Sequence, residues 1–220
     1  MRRLEAYNIG ESLDQLEIVE AVESGYALLQ TRSDPGYTRT HTAGCGRCLL
    51  VAPESEGGHL TNEGVVFIYQ INDEEATGVV LQKPTTFTMN EMAPDFDDFD
   101  ENVMYRGGEE GGQSVLMFHP HGDLDGCRNV GNGIFVGGVQ NAKQAVWSGM
   151  KPASTFQFFF NHLTFSTVNL EGMLSENGGW KVLRFPEEAM VDVVLSPGEG
   201  EIWSQLHRRI KGVAEAVVVE

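Results

Sequence analysis

The stretch that decides the fold is Val65–Leu81, which reads VVFIYQINDEEATGVVL. Its two ends are short apolar runs rich in β-branched residues, a composition typical of strands. The residues between them, Asn72 to Glu75, are polar and predict a hairpin connection. We therefore expect two sequential strands joined by a tight turn.

Similar apolar runs recur along most of the chain and predict further strands. They lie at Cys48–Ala52, Val103–Tyr105, Val115–Phe118, Ile134–Val136, Thr155–Leu163 and Trp180–Leu183. Helical patterns lie at Val139–Trp147, Val168–Leu174, Glu187–Val194 and Glu199–Ile210. The acidic stretch Met89–Asp100 is predicted to be a surface excursion. Strands through most of the body with helices inserted late predict an α+β domain whose sheet is curved or barrel-like.

The first 40 residues are predicted to form a segment apart from the main domain. Ser12–Leu29 alternates acidic side chains with an apolar stripe at helical spacing, which predicts an amphipathic helix. The turn residues Ser33–Gly36 follow as a linker. We therefore divide the chain into residues 1–40, a helix and linker, and residues 41–220, the main domain. The apolar stripe packs either on that domain or on a partner protein.

The chain carries a strong negative charge, because 15 Lys and Arg stand against 32 Asp and Glu, for a net charge of −17. Binding to nucleic acid needs clustered basic side chains, so we expect no nucleic-acid partner. No apolar run has the length of a membrane-spanning helix, and Met1–Glu5 leads into no secretory signal. We expect a soluble protein that is not integral to a membrane and that reaches one only peripherally, through a protein complex.

Several features taken together resemble one family. Thr77–Pro84 reads TGVVLQKP, which is a small residue, a glycine, three apolar residues and a Lys-Pro pair. Gly107–Gly108 precedes a predicted strand that ends at His119, and a late aromatic strand and a helix lead to Trp180. In this order the segments from Arg47 to Gly212 resemble the AlgH family of small proteins, which is found in bacteria and in plastid-bearing eukaryotes.

The resemblance implies a flattened, barrel-like β core with peripheral helices. It carries no reaction, because the family has no established chemistry. Two departures stand out: Asn161–Phe165 replaces a motif of the Gly-Tyr-Ala-Gly-Trp type, and Gly131–Gly133 is inserted before an apolar strand. The insertion resembles the photosynthetic-eukaryote branch, so the expected location is the chloroplast, with the cytoplasm as the alternative. The resemblance implies structural roles for Gly78, Lys83, Pro84, Gly107, Gly108, His119 and Trp180.

The densest set of polar side chains follows the predicted strand that ends at His119. Imidazoles, carboxylates and a thiol are ligands that zinc accepts. The spacing matches no zinc signature, however, and the interspersed Pro and Gly residues favour a solvated loop. We therefore expect no metal at this set, whose weak candidate ligands are His119, His121, Asp123, Asp125 and Cys127.

Cys45 and Cys48 form a CxxC motif. Such a pair is either a redox dithiol or half of a zinc site, and Arg47 between them favours a reactive thiolate. The motif opens a predicted strand rather than a helix, and the sequence has no second cysteine pair. Redox use of these two thiols therefore remains an alternative hypothesis.

The sequence offers no recognised catalytic motif, since it lacks a nucleophile elbow and a phosphate-binding loop. We predict a protein that is not an enzyme, has no cofactor, and acts as a binding or scaffolding subunit of a protein assembly in a plastid. Two alternatives stay open. One is a redox sensor or small oxidoreductase that uses Cys45 and Cys48, and the other is a regulatory factor that acts through protein partners.

Overall fold

The protein is described here by a computed structural model that covers residues 17–19, 48–54, 59–174, 179–184, 187–195 and 202–208. Within these residues eleven strands join into one sheet. They are β1 (Glu17–Val19), β2 (Cys48–Val51), β3 (Val65–Ile71), β4 (Glu75–Val80), β5 (Pro84–Thr88), β6 (Val103–Arg106), β7 (Glu110–His119), β8 (Cys127–Gly131), β9 (Ile134–Gly137), β10 (Gln157–Ser166) and β11 (Lys181–Arg184).

Helices flank this sheet. They are α1 (Met89–Met92), α2 (Val139–Trp147), α3 (Thr167–Leu174), α4 (Glu187–Leu195) and α5 (residues 202–208), with 3-10 turns at Pro94–Phe99 and Ala153–Thr155. Each helix in the described part of the chain is too short or too polar to cross a bilayer. The predicted α+β class with a barrel-like sheet and peripheral helices is confirmed: the sheet curls into an antiparallel half-barrel.

The strand order along the sheet is β1-β11-β2-β3-β4-β10-β7-β9-β8, and β6 and β5 branch from β10. Every pairing is antiparallel except that of β6 with β10, which is parallel. The long strand β10 changes neighbours along its length. Its first half pairs with β6 through Phe158–Phe160, and its second half pairs with β4 through Leu163–Ser166. This change of neighbour divides the sheet into two parts that share β10.

Both faces of the central strands are buried, which explains their unbroken apolar runs. On β3, Val65, Phe67 and Tyr69 pack in a cluster that includes residues of α4 and α5. Val66 and Ile68 point to the opposite face and pack with residues of α3. The alternation follows from the two-residue period of a strand. Helices on both sides are therefore needed to cover the sheet.

A third cluster lies under the acidic stretch Met89–Asp100. That stretch was expected to be a surface excursion, yet it forms α1 and a 3-10 turn in which Met89 and Phe99 are fully buried. The Phe99 ring packs edge-on against Phe156 and Phe158, with centroid distances of 5.3 and 5.1 Å. All of the acids except Asp98 face water, while the aromatic rings anchor the segment to β10. The expectation of a surface position therefore holds for the exposed acids and not for the buried Met89 and Phe99.

The hairpin predicted at Asn72–Glu75 is confirmed. The Oδ1 atom of Asn72 accepts hydrogen bonds from the backbone N–H groups of Glu74 and Glu75 at 2.8 and 2.9 Å. The other predicted strands are found within a few residues of their expected bounds. The strands β5 and β8 were not predicted, because PTTFT and CRNVG contain few of the apolar residues that mark a buried strand.

The predicted helix at Ser12–Leu29 is wrong over Glu17–Val19, which forms β1 and pairs antiparallel with β11. The rest of that helix lies outside the described residues. Two of the three residues of β1, Ile18 and Val19, are β-branched and suit a strand, and pairing with β11 overrides the helical spacing. The boundary at residue 40 stays a prediction.

Gly78 provides a test of the fold. A Cβ atom at this position would lie 2.7 Å from Val66 Cγ1 and 2.9 Å from the carbonyl oxygen of Phe67, so β3 and β4 approach too closely for a side chain. We expect Gly78→Val to lower the free energy of unfolding by about 1–3 kcal/mol, measured by urea denaturation. Gly172→Val is the control, because nothing lies within 4 Å of its Cβ position. Equal stability of the two variants would contradict this account.

Candidate functional site

Two glycines hold the two parts of the sheet together. Gly107 and Gly108 follow β6 and lie across β10, and we call them the glycine crossing. The N–H of Gly107 donates to the carbonyl of Phe160 at 2.9 Å, and its own carbonyl accepts from the N–H of Val80 at 2.8 Å. One residue therefore ties β10 to the end of β4.

The crossing is too close for any other residue type. A Cβ atom on Gly108 would lie 1.8 Å from the carbonyl carbon and oxygen of His162, and one on Gly107 would lie 2.5 Å from the carbonyl oxygen of Asn161. On the other strand, Asn161 has a φ of +61°, at a bulge between Phe160 and His162. Its Oδ1 atom accepts from the N–H of Gln113 at 3.0 Å, which fastens β7 to the bulge.

A groove opens beside the glycine crossing and encloses about 300 Å³. Phe87 and Met92 stand at its edge with 50% and 41% of their surface exposed, and both line the same concave surface. Arg106 Nη2 and Glu109 Oε1 form an exposed ion pair at 3.4 Å. The residues that line the groove are Thr85, Phe87, Met92, Met104, Arg106, Gly108, Glu109, Phe160 and Asn161.

Local hydrogen bonds fix the backbone segment that carries the two apolar side chains. The hydroxyl of Thr85 donates to the carbonyl of Met104 at 2.7 Å and accepts from the N–H of Phe87 at 3.2 Å, which shapes β5 where it bulges against β6. The N–H of Thr88 donates to Glu91 Oε2 at 2.9 Å at the start of α1. Phe87 and Met92 are therefore held on either side of a short capped turn.

Two polar atoms behind the crossing lack hydrogen-bond partners among the described residues. They are Ser114 Oγ on β7 and His162 Nδ1 on β10, and both are buried. A Cβ atom on Gly111 would lie 2.5 Å from the first and 2.9 Å from the second, so both atoms lie close to the backbone of Gly111. A buried polar group without a partner costs free energy.

The side chains predicted as weak metal-ligand candidates bond to different groups of the protein. His119 ends β7 and is fully buried; its Nε2 lies 3.1 Å from the carbonyl of Gly137, and its Nδ1 accepts from the N–H of His121 at 3.2 Å. The hydroxyl of Thr155 donates to the carbonyl of Pro152, so His121 Nε2, 2.7 Å away, is the donor to that hydroxyl. His119 is thereby fixed as a neutral ring with its proton on Nε2, and burial lowers the pKa of His121.

The remaining members of that set point elsewhere. Asp123 forms an ion pair with Lys151 at 2.8 Å, and this hydrogen bond lowers the pKa of its carboxyl. The thiol of Cys127 donates to the carbonyl of Leu124 at 2.9 Å, and burial raises its pKa. Asp125 is exposed. Over the ranges that the structure describes, no three His, Cys, Asp or Glu side chains gather as a metal site would require.

The other predicted site positions are spread over the fold. Lys83 Nζ donates to the carbonyl of Asn62 at 3.1 Å, and the carbonyl of Lys83 accepts from the N–H of Arg106 at 2.8 Å. Pro84 opens β5 rather than closing β4, which ends at Val80. Trp180 is buried in the cluster under α3. Cys45 and the side chain of Cys48 lie outside the described residues.

Sequence reasoning missed the groove. Phe87 and Met92 stand among Thr, Asn and Glu residues, and neither position carries a motif. The available signal was the isolation of each apolar side chain in a polar stretch. That signal does not separate an exposed side chain from a buried one, as the fully buried Met89 between them shows.

A curled half-barrel sheet with flanking helices defines a class of small α+β proteins found in two solved structures. The crystal structure of protein DIP2367 from Corynebacterium diphtheriae superposes with a TM-score of 0.60 at 21% identity, over 75% of this chain and 86% of that one. The solution structure of the AlgH protein from Pseudomonas aeruginosa gives 0.57 at 19% identity, over 81% and 92%. At these sequence identities, the similarity to the two structures shows a shared fold and nothing more.

The chain belongs to the AlgH-like family, whose sequence model matches residues 48–215. Among its curated relatives, a UPF0301 protein of Chlorobaculum tepidum is 29% identical over 64% of this chain and 73% of the relative. One from Chlorobium phaeobacteroides is 28% identical over 70% and 80%. The family resemblance inferred from the sequence is therefore confirmed, and the family's function is uncharacterised.

Two histidines with lowered pKa values predict a pH-dependent stability. Burial lowers the pKa of His119 and of His121 below 6.5, so the unfolded chain binds protons that the folded chain does not. Their stabilising contribution is present above the unfolded pKa and is lost as the pH falls below it. We expect the urea-unfolding free energy to fall between about pH 7 and pH 5, and His119→Gln to reduce that slope. His59→Gln, at an exposed histidine, is the control; equal slopes in wild type and His119→Gln would refute the assignment.

The unpartnered hydroxyl of Ser114 makes a second prediction. Ser114→Ala removes a buried group that has no described hydrogen bond, so the free energy of unfolding should stay constant or rise by about 1 kcal/mol. Thr85→Val removes a hydroxyl that makes two hydrogen bonds and should lower it by about 1–2 kcal/mol. Thermal and urea denaturation measure both. An equal loss of unfolding free energy in the two variants would mean that the Ser114 hydroxyl has a hydrogen-bond partner.

Proposed function

We propose that the protein is a non-catalytic binding subunit that docks a segment of another protein in the groove beside the glycine crossing. The observation that carries this proposal is the exposure of Phe87 and Met92 at the edge of a concave surface. Large apolar side chains that converge on an open groove are typical of sites for ligands or partner chains. A core role would have buried them.

The surroundings of the groove favour binding because they are fixed in advance. The glycine crossing, the Asn161 bulge and the hydrogen bonds of Thr85 hold its walls, so a partner orders few groups when it docks. Recognition here depends on side chains rather than on a partner strand that pairs with β5. Pro84 has no N–H, and the N–H of Phe87 is already accepted by Thr85.

The setting we propose for this binding role is a protein assembly in a plastid. The support is the inserted Gly131–Gly133, which lies at the turn between β8 and β9. The matched relatives are bacterial, so a bacterial-type cytoplasm is the competing setting. A regulatory role through protein partners is compatible with the same groove. Among the residues that the structure describes, no contact supports the redox hypothesis for Cys45 and Cys48.

The binding proposal predicts that the double variant Phe87→Ser/Met92→Ser loses its partner. Each buried apolar anchor contributes about 1.5–3 kcal/mol, so recovery of a specific partner should fall at least about tenfold. The measurement is quantitative mass spectrometry after affinity capture from a source extract, with the full chain as bait. Val168→Ser is the control, since Val168 is 74% exposed on α3, away from the groove. Equal recovery by wild type and the double variant would rule out the groove as the docking site.

A further inference from the structure

We propose that the groove takes an extended, basic peptide segment with a single large apolar anchor; this rests on the proposed function. The volume of about 300 Å³ lies at the lower end of ligand sites, which span about 300–1,000 Å³. It suits one aromatic or long aliphatic side chain between Phe87, Met92 and Phe160. The residues on either side of that anchor then run over the rims of the groove.

One rim of the groove is acidic. Met92 lines the groove and belongs to the segment Met89–Glu101, which contains no Lys or Arg. Its acidic residues are Glu91, Asp95, Asp97, Asp98, Asp100 and Glu101. All of them except Asp98 are exposed. The wall that presents Met92 therefore continues as a negative surface.

The negative charge of this rim is only partly neutralised by the described residues. Lys143 on α2 pairs with Asp97 at 3.5 Å and with Asp98 at 3.9 Å, donates to the carbonyl of Asp95, and lies 5.7 Å from the centre of the Phe96 ring. No Lys or Arg of the described residues forms an ion pair with Asp100. The rim therefore keeps a net negative charge.

The opposite rim has the same sign. There Arg106 pairs with Glu109, which cancels one charge, and the next residue, Glu110, is exposed. Both ends of the groove are thus bordered by net negative charge that attracts cations, and salt screens this attraction. Charge complementarity of this kind steers association and selects among partners.

The same charges disfavour the other occupants. A second copy of the chain would bring together two proteins of net charge −17. An acidic peptide or a nucleic acid would place its anions against the same rims. The apolar centre requires an anchor, so a purely basic peptide without one would gain only screened surface contacts.

The test is selection from a display library of random nine-residue peptides on the immobilised full chain. Peptides that also bind the variant Phe87→Ser/Met92→Ser are removed by counter-selection. The expected pool is enriched in peptides with one Phe, Leu, Met or Trp flanked by Lys or Arg.

The peptide that binds most strongly is then labelled, and its affinity for the full chain is measured by fluorescence anisotropy at low and physiological salt. Asp95→Asn/Asp100→Asn should weaken it at least about fivefold, whereas Asp73→Asn/Glu74→Gln, which neutralises two exposed acids on the β3–β4 hairpin, should not.

The outcomes separate the two proposals. Selected peptides that are neutral or acidic, yet still require Phe87 and Met92, overturn the basic-peptide inference and leave the groove as a binding site. Equal loss of affinity in the rim variant and the hairpin variant also overturns the inference. A library that yields no peptide preferring the wild type over Phe87→Ser/Met92→Ser overturns it as well, and the extract capture then decides whether the groove docks any protein.

Discussion

The close approach of Gly107–Gly108 to β10 is the constraint on which the rest of the structure depends. Because these residues have no side chains, their backbone reaches the carbonyl groups of Asn161 and His162 directly. Gly107 uses both of its peptide groups there, one toward β10 and one toward β4. Gly107 therefore supplies hydrogen-bond partners on both sides of the point where β10 leaves β6 for β4, and the sheet curls at that point.

The candidate binding site follows from the same constraint. Where β6 departs from β10, none of the described strands covers the space next to the crossing, and the groove occupies it. The turn from β5 into α1 then borders that space with Phe87 and Met92, while the rings of Phe96 and Phe99 anchor the acidic segment behind them. Apolar surface and negative charge are thus brought together by chain segments that pack on one face of β10.

Much of the fold was predictable because its elements have local signals. The apolar runs marked the central strands, Asn72 marked the hairpin, and the glycines of the crossing were recognised as structural positions. The groove was not predictable, since exposure of Phe87 depends on how β5 bulges against β6. The helix prediction failed at Glu17–Val19 for a similar reason, because a partner strand, β11, comes from the far end of the chain.

The sequence by itself determined the α+β class, the strong negative charge and the position of most strands, because composition and short-range periodicity encode those properties. The order of its motifs carried the resemblance to the family. Only the tertiary structure decided which strands are neighbours of β10, which large apolar side chains stay exposed, and where each polar candidate finds its partner. His119 illustrates the difference: its place at a strand end is local information, but burial beside distant rings such as Phe156 lowers the pKa of its imidazole, and its Nε2 finds the carbonyl of Gly137. Such contacts join residues far apart in the chain, and no local pattern records them.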